Sequence, residues 1–248
     1  MRWLILSDIH SNLEALESVL KAAENQYDSI VCLGDLVGYG PDPNEVVDWA
    51  RGSLGACIRG NHDKAACDTE IASGFHYAAR AAAEWTHDRL TETNRQYLQE
   101  LAQGPQAIGG VQIVHGSMRD EDKYLVSRTD VYEEFRNLDR GLVFFGHTHQ
   151  QGGYMEDANG FLQEVQPNLF RGCSRVALEI LPGEKYLINP GSVGQPRDND
   201  IRAALCLFDD ARRQVEYWRV PYLVEKTQRR MEEFGLPDSL VQRLSFGH

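Results

Sequence analysis

Apolar residues in this chain gather into short runs separated by amphipathic or turn-rich stretches, and the runs end in a recurrent way. Trp3-Leu4-Ile5-Leu6 leads into Asp8 and His10, and Ile30-Val31-Cys32-Leu33 into Asp35. Ala56-Cys57-Ile58 leads into Asn61 and His62, Val111-Gln112-Ile113-Val114 into His115, and Leu142-Val143-Phe144-Phe145 into His147 and His149. Runs of this length read as strands. Each stops within a few residues of a group able to hold a divalent metal. Ligands at the carboxyl ends of parallel strands converge in one crevice, so the pattern points to a site as well as a fold.

Between the first two runs, Ser11-Asn12 can cap a helix whose Leu13, Leu16, Val19 and Leu20 share one buried face. A short helix is expected near Pro43 to Arg51, then a third strand up to Arg59. This βαβαβ order implies a parallel sheet with right-handed crossovers. Residues 64–103 break the alternation. Their Ala-rich segments, such as Tyr77 to Trp85, predict two or three helices that either lie over the site mouth or pack on the sheet away from it.

Strands return from about residue 105, with one helix expected over Asp130 to Asn137. Beyond His149 the pattern reads as antiparallel. Gly152 to Met155 and Phe161 to Val165 flank the turn Asp157-Ala158-Asn159-Gly160, a hairpin signal. Further strands are expected at Val176 to Leu181, Tyr186 to Ile188, Ala203 to Phe208 and Val215 to Val220, with an amphipathic helical stretch after Pro221. No linker or repeat divides the 248 residues, so one domain with a helical insertion at about 64–103 is expected.

Composition narrows the chemistry. A formal net charge of −12 without a Lys/Arg cluster argues against extended nucleic acid and anionic membranes as partners. A metal site could still supply local positive charge for a small phosphate ester. No apolar stretch approaches the roughly 20 residues of a membrane helix. The short apolar N-terminal run leads to the expectation of a cytoplasmic protein. Five cysteines without a C-x-x-C spacing read as core residues.

The candidate ligands comprise two carboxylates (Asp8, Asp35), one amide (Asn61) and four imidazoles (His10, His115, His147, His149). In Asp8-x-His10 and His147-x-His149, alternation along an extended chain is expected to put both side chains on one side. Gly34-Asp35 opens a glycine-rich turn, and in Gly60-Asn61-His62-Asp63 the Asp63 carboxylate is placed to orient the His62 imidazole. Such mixed donors suit Mn, Fe, Co, Ni or Zn, with manganese the first choice. Seven ligands are too many for one ion and suit two sharing a carboxylate. Two divalent ions about 3.5 to 4 Å apart can supply a bridging hydroxide for in-line attack on phosphorus.

These blocks, D-x-H, G-D, G-N-H-D, H and G-H-x-H in order, resemble the signature of the calcineurin-like metallophosphoesterase superfamily. Asn189-Pro190-Gly191-Ser192-Val193-Gly194-Gln195-Pro196-Arg197 resembles a turn of its small bacterial phosphodiesterase branch. The resemblance implies an α/β fold, a four-layer α/β/β/α sandwich of two mixed sheets. It implies one metal on Asp8, His10, Asp35 and His149, and a second on Asp35, Asn61, His115 and His147, with Asp35 bridging. His62 would then stabilise the transition state or protonate the leaving oxygen.

Arg59, just before the G-N-H-D block, matches a phosphate-binding arginine of the family's serine/threonine protein phosphatases. Their second arginine, in the G-D block, corresponds here to Tyr39. Tyr39 either contacts substrate or packs the turn. His76 either reaches the mouth or is an ordinary helix residue, and Arg197 either approaches a phosphate or forms a structural ion pair. The expected function is hydrolysis of a small phosphate ester, with a diester preferred. The alternatives are a protein-binding scaffold on the same fold and a nuclease acting on short oligonucleotides.

Overall fold

The computed structural model describes residues 1–138, 141–169 and 173–248. Its first half follows β1 (Arg2–Leu6), α1 (Leu13–Ala22), β2 (Ser29–Cys32), α2 (Pro43–Ser53), β3 (Ala56–Cys57), α3 (Asn61–Cys67), α4 (Tyr77–Arg89), α5 (Glu92–Glu100), β4 (Gln106–Ile108) and β5 (Val111–Ile113). The second half adds α6 (Arg128–Arg136), β6 (Leu142–Phe144), β7 (Gly152–Glu156), β8 (Leu162–Val165), β9 (Arg175–Glu179), β10 (Lys185–Asn189), β11 (Ala203–Asp209), β12 (Gln214–Val220), α7 (Val224–Glu233) and α8 (Asp238–Arg243).

Two six-stranded mixed sheets result, in the orders β3-β2-β1-β11-β12-β9 and β4-β5-β6-β10-β7-β8. β1, β2 and β3 are parallel in one sheet; β5, β6 and β10 are parallel in the other. The alternation of side chains explains why both sheets are buried on two faces. Leu4, Leu6, Ile30 and Cys32 pack against Leu16 and Val19 of α1 and Val46 and Val47 of α2. Their neighbours Ile5, Val31 and Leu33 point the other way and meet Phe144 and Ile188 across the sandwich. Behind the second sheet, Val143, Phe145 and Leu187 pack against Val131 and Phe135 of α6. Burial on both faces is why these strands read as continuous apolar runs.

Three expectations change. β3 stops at Cys57 rather than reaching Arg59: Ile58 N still bonds to Cys32 O of β2, but Arg59 N turns to Ala102 O at the return of the helical segment. β10 is antiparallel to β7, as expected, but its other edge runs parallel to β6, so it joins the antiparallel strands to the parallel ones. The helical segment also divides. Leu98 of α5 joins the helical layer over the first sheet. α4 packs instead against α7, α8 and Tyr39, and the turn before it carries Phe75 to the site. No helix among the described residues is long and apolar enough to cross a membrane.

Candidate metal centre

The strand ends deliver their ligands through left-handed turns. Asp8, His10, Asp35, His147 and His149 have φ of 54°, 48°, 55°, 67° and 59°. Extended-chain alternation is therefore not what pairs Asp8 with His10 or His147 with His149. The turns are held by backbone bonds between strand ends: Asp8 N to Gly34 O, His10 N to Asp35 O and Gly146 N to His115 O. Left-handed backbone costs a non-glycine residue of order 1–3 kcal/mol and gathers where the fold demands a particular side-chain direction. Here it gathers around one cluster.

Two groups of ligand atoms face one another, each within 4.8 Å throughout: Asp8, His10, Asp35 and His149, and Asp35, His115 and His147. Asp35 belongs to both. Asn61 Oδ1 lies 3.3 Å from His115 Nε2 and so adjoins the second group. The seven side chains are between 0% and 8% exposed.

Hydrogen bonding dictates which atoms point inward. His10 Nδ1 lies 3.0 Å from Val37 O, His149 Nδ1 2.7 Å from Gln195 O and His115 Nδ1 2.8 Å from Leu33 O. A carbonyl only accepts, so each of these nitrogens donates and leaves Nε2 with its lone pair. His147 is reversed: Nε2 donates to Asp122 O at 3.0 Å, leaving Nδ1 inward. When the rings are neutral, the lone pairs of His10 and His149 thus meet at 3.0 Å, and those of His115 and His147 at 3.1 Å.

The carboxylates show the same division. Asp35 Oδ1 accepts from His62 N at 2.8 Å, and Asp8 Oδ2 accepts from Ser7 Oγ and His147 N. Their other oxygens, Asp35 Oδ2 and Asp8 Oδ1, are buried without a partner. A dry cluster of acceptors has no internal way to satisfy itself, and positive charge between them resolves it. The residues fit two divalent cations.

Proton affinities register the same demand. Burial opposes charge on His115, but the Asp35 carboxylate, 3.4 Å from Nε2, outweighs it and pushes the imidazole up to about 10. Burial likewise disfavours the Asp8 carboxylate, yet His149 and His115 bring it below its ordinary range. His147 is brought down to about 3 by burial and by the neighbouring His115.

His62 stands beside this shell rather than in it. Its ring packs on Tyr39 at 4.3 Å, Phe75 at 4.9 Å and the edge of His10 at 5.0 Å, and Nδ1 has no hydrogen-bond partner. Asp63 does not orient it. That carboxylate accepts from the backbone nitrogens of Asp35 and Gly60 at 2.9 Å and of Val37 at 3.2 Å, bracing the two ligand turns against each other. Burial and the Asp35 charge push Asp63 up to about 7 against the Gly60 and Val37 donors. Burial, with Arg197 also adverse, holds His62 down to about 4 although Asp35 favours its charged form.

The other candidates separate clearly. Arg59 is not a free phosphate clamp, because its Nε and Nη2 pair with Glu121 at 2.8 to 3.2 Å. His76 is exposed at the start of α4 and does not join the cluster; its neighbour Phe75 does the covering. Tyr39 is 4% exposed, lies 4.5 Å from the His10 ring and receives a 3.2 Å hydrogen bond from Arg197 Nη2. Arg197 forms no ion pair with a described carboxylate; Asp198 pairs with Arg219 instead. Sequence reasoning missed Tyr124, which stacks on His147 at 3.7 Å, and Phe75. Neither sits in a motif. Gln195 and Ser192, which hold His149 and the Asp8 backbone, lie inside the Asn189 to Arg197 turn and could have been drawn from it.

Comparison with known proteins agrees with this arrangement. The calcineurin-like phosphoesterase superfamily domain matches residues 1–211. The chain is 34% identical over 247 residues to the uncharacterized protein MJ0912 of Methanocaldococcus jannaschii, covering 98% of this chain and 97% of that one. The crystal structure of a metallophosphoesterase from Sphaerobacter thermophilus superposes with a TM-score of 0.86 at 37% identity, over 100% of both chains. The hypothetical protein PH1004 of Pyrococcus horikoshii shares the fold, with a TM-score of 0.78 at 19% identity over 100% of this chain and 98% of that one. With its buried His/Asp cluster, this chain belongs to the calcineurin-like phosphoesterase superfamily and is a metal-dependent phosphoesterase.

Proposed function

We propose that the protein hydrolyses a small phosphate ester, a diester in preference to a monoester, with two divalent ions bound across the shared Asp35. Asp8, His10, Asp35 and His149 would hold one ion, and Asp35, Asn61, His115 and His147 the other, with manganese the first choice for this donor set. The observation that carries the reading is Asp35 Oδ2, a buried orphan oxygen common to both groups of inward lone pairs. When bound, such a pair of ions supplies an activated water and neutralises charge on the phosphoryl oxygens.

The chain's own residues supply the rest. His62 is held neutral by burial and by nearby cations, and an arriving phosphoryl anion favours its charged form. That lets it carry a proton to the leaving oxygen. Tyr39 and Phe75 fix its ring and exclude water, while Asp63 keeps the Asp35 and Asn61 turns in register. Support for a diester comes from the Asn189 to Arg197 turn, which resembles that of the phosphodiesterase branch and reaches the cluster through Gln195 O on His149 and Arg197 on Tyr39. The charge of −12 keeps extended nucleic acid off the substrate list.

The test is hydrolysis of bis-aryl phosphodiesters and aryl phosphomonoesters by protein loaded separately with Mn²⁺, Co²⁺ and Ni²⁺. Turnover of the diester above the monoester, abolished by Asp35→Asn, is the expected result. Inertness toward both esters with every metal overturns the reading.

A further inference from the structure

Beside the cluster, two arginines converge on a single amide oxygen. Arg197 Nη2 donates to Gln195 Oε1 at 3.0 Å, and Arg243 Nη1, from the last residue of α8, donates to the same oxygen at 3.2 Å. The two guanidinium nitrogens are therefore no farther apart than about 6 Å. Neither arginine has a carboxylate within ion-pair distance among the described residues, although the neighbouring Arg202 and Arg219 are matched with Asp200 and Asp198. In a chain with a net charge of −12, two half-buried like charges left facing each other stand out.

The groups between them are also unfinished. Gln195 is 1% exposed, and its Nε2 has no partner; Arg197 Nε is buried and equally unpaired. The amide cannot be turned round, because its nitrogen would then face two donors. What is left over is a set of N–H donors with no acceptor. Burial, with the adjacent Arg197, draws the proton affinity of Arg243 below the usual arginine range, the cost of a cation pair lacking its counterion.

Position says which anion this is. Arg197 N bonds to His149 O at 3.1 Å, and its guanidinium touches Tyr39, so Arg197 stands on the rim of the cluster. Arg243 reaches the shared Gln195 oxygen from α8 and touches no candidate ligand by hydrogen bond. The scissile phosphoryl group would already be neutralised at the metal centre, so an outer guanidinium pair is in excess of that need. We infer that Arg197, Gln195 and Arg243 form a recognition site for a second anionic group of the substrate, a phosphate or carboxylate carried beside the phosphoryl group that is cleaved. This rests on the phosphoesterase reading for its purpose, but not for its detection. Planar guanidinium pairs bind such oxyanions bidentately.

The experiment is calorimetric titration of the full-length protein, loaded with Mn²⁺, with three probes: methylphosphonate, methylenebisphosphonate and phosphonoacetate. Binding of at least one two-anion probe about 10- to 100-fold tighter than methylphosphonate is expected, since charge-assisted hydrogen bonds are gained. Methylenebisphosphonate alone binding tightly identifies a second phosphate; phosphonoacetate doing so identifies a carboxylate. Arg243→Gln should erase the advantage, and Arg243→Lys should restore part of it, with unfolding midpoints recorded for both. Equal binding of all three probes, or an advantage that survives Arg243→Gln, overturns the inference. Because no turnover is read, a protein inert toward esters would sink the functional reading without deciding this one.

Discussion

Gly38 is the most economical place to ask whether His62 belongs to the reaction or to the metal shell. Its φ is +91°, and a Cβ built there would lie 2.6 Å from His62 Nδ1, where ordinary contact begins at 3.4 Å. In Gly38→Ala the ring must therefore retreat by about 0.8 Å. Left-handed backbone adds about 1–2 kcal/mol for an alanine. At about 2–4 °C per kcal/mol for a chain of this size, the unfolding midpoint should drop by about 2–8 °C.

Activity should fall much further than stability. Misplacing a reacting group by about 1 Å costs on the order of 100-fold, so kcat/KM should fall by that order. Metal content should stay at two ions per chain, because the displaced ring faces Tyr39 and Phe75 and contributes no inward lone pair. The assay is kcat/KM on a diester alongside elemental analysis of dialysed protein. His62→Ala and the double variant complete the cycle: if alanine acts through the ring, it adds little once the ring is gone. Loss of ions together with activity would refute the placement of His62 outside the shell, and wild-type kcat/KM would refute its part in the reaction.

Chelation should lower the unfolding midpoint, since an ion at 100 times its dissociation constant stabilises by about 2.7 kcal/mol per site; thermal scans with and without a chelator that coincide would contradict a metal-filled cluster. Asp35→Asn should reduce binding of both ions and His149→Ala mainly of one, which elemental analysis can read directly. Arg59→Ala should leave kcat/KM near wild type, because its guanidinium is engaged by Glu121, whereas Arg197→Ala should cost about 10- to 100-fold in kcat/KM; the reverse ranking would restore Arg59 as the phosphate clamp. In metal-free protein, His62 at about 4 when folded, against an ordinary 6.5, means that the unfolded chain takes up a proton first as pH falls. Wild type should therefore lose about 3 kcal/mol relative to His62→Phe between pH 6.5 and 4 and no more below that. Urea unfolding of both proteins across that range tests it, and parallel pH profiles would count against a neutral buried His62.

The convergence of these side chains was legible because metal coordination restricts residue type and the fold restricts position. Few side chains present a hard or borderline donor, and strand ends are where a sandwich gathers them. What could not be read was the means. Asp8 and His10 are two apart in sequence, and alternation seemed to account for their pairing, yet both are left-handed and the turn does the work. Asp63 shows the same limit: adjacency to His62 suggested a partner, but the side chain reaches backbone nitrogens 26 and 28 residues upstream, at Val37 and Asp35. Arg59 could be placed by motif but not freed of Glu121, 62 residues away. Long-range hydrogen bonding decides what a polar side chain is available to do, and it leaves no periodic trace.

The two halves of the site also differ in how they are built. The ligands come from turns between strands and are tied to one another through backbone carbonyls, such as Val37 O on His10 and Leu33 O on His115. A change in one turn therefore displaces a ligand on another strand. The groups proposed to face the substrate have separate supports: Phe75 precedes α4, Tyr124 lies in the loop before α6, and Arg243 ends α8. None of these three residues supplies a backbone carbonyl that holds a ligand ring. On this scaffold the candidate ligands are mechanically coupled to the core, while the groups proposed to choose the ester touch the cluster only through side chains. Exchanging Phe75, Tyr124 or Arg243 should therefore shift KM between esters at constant metal content, whereas altering Leu33 or Val37 should reduce metal content first.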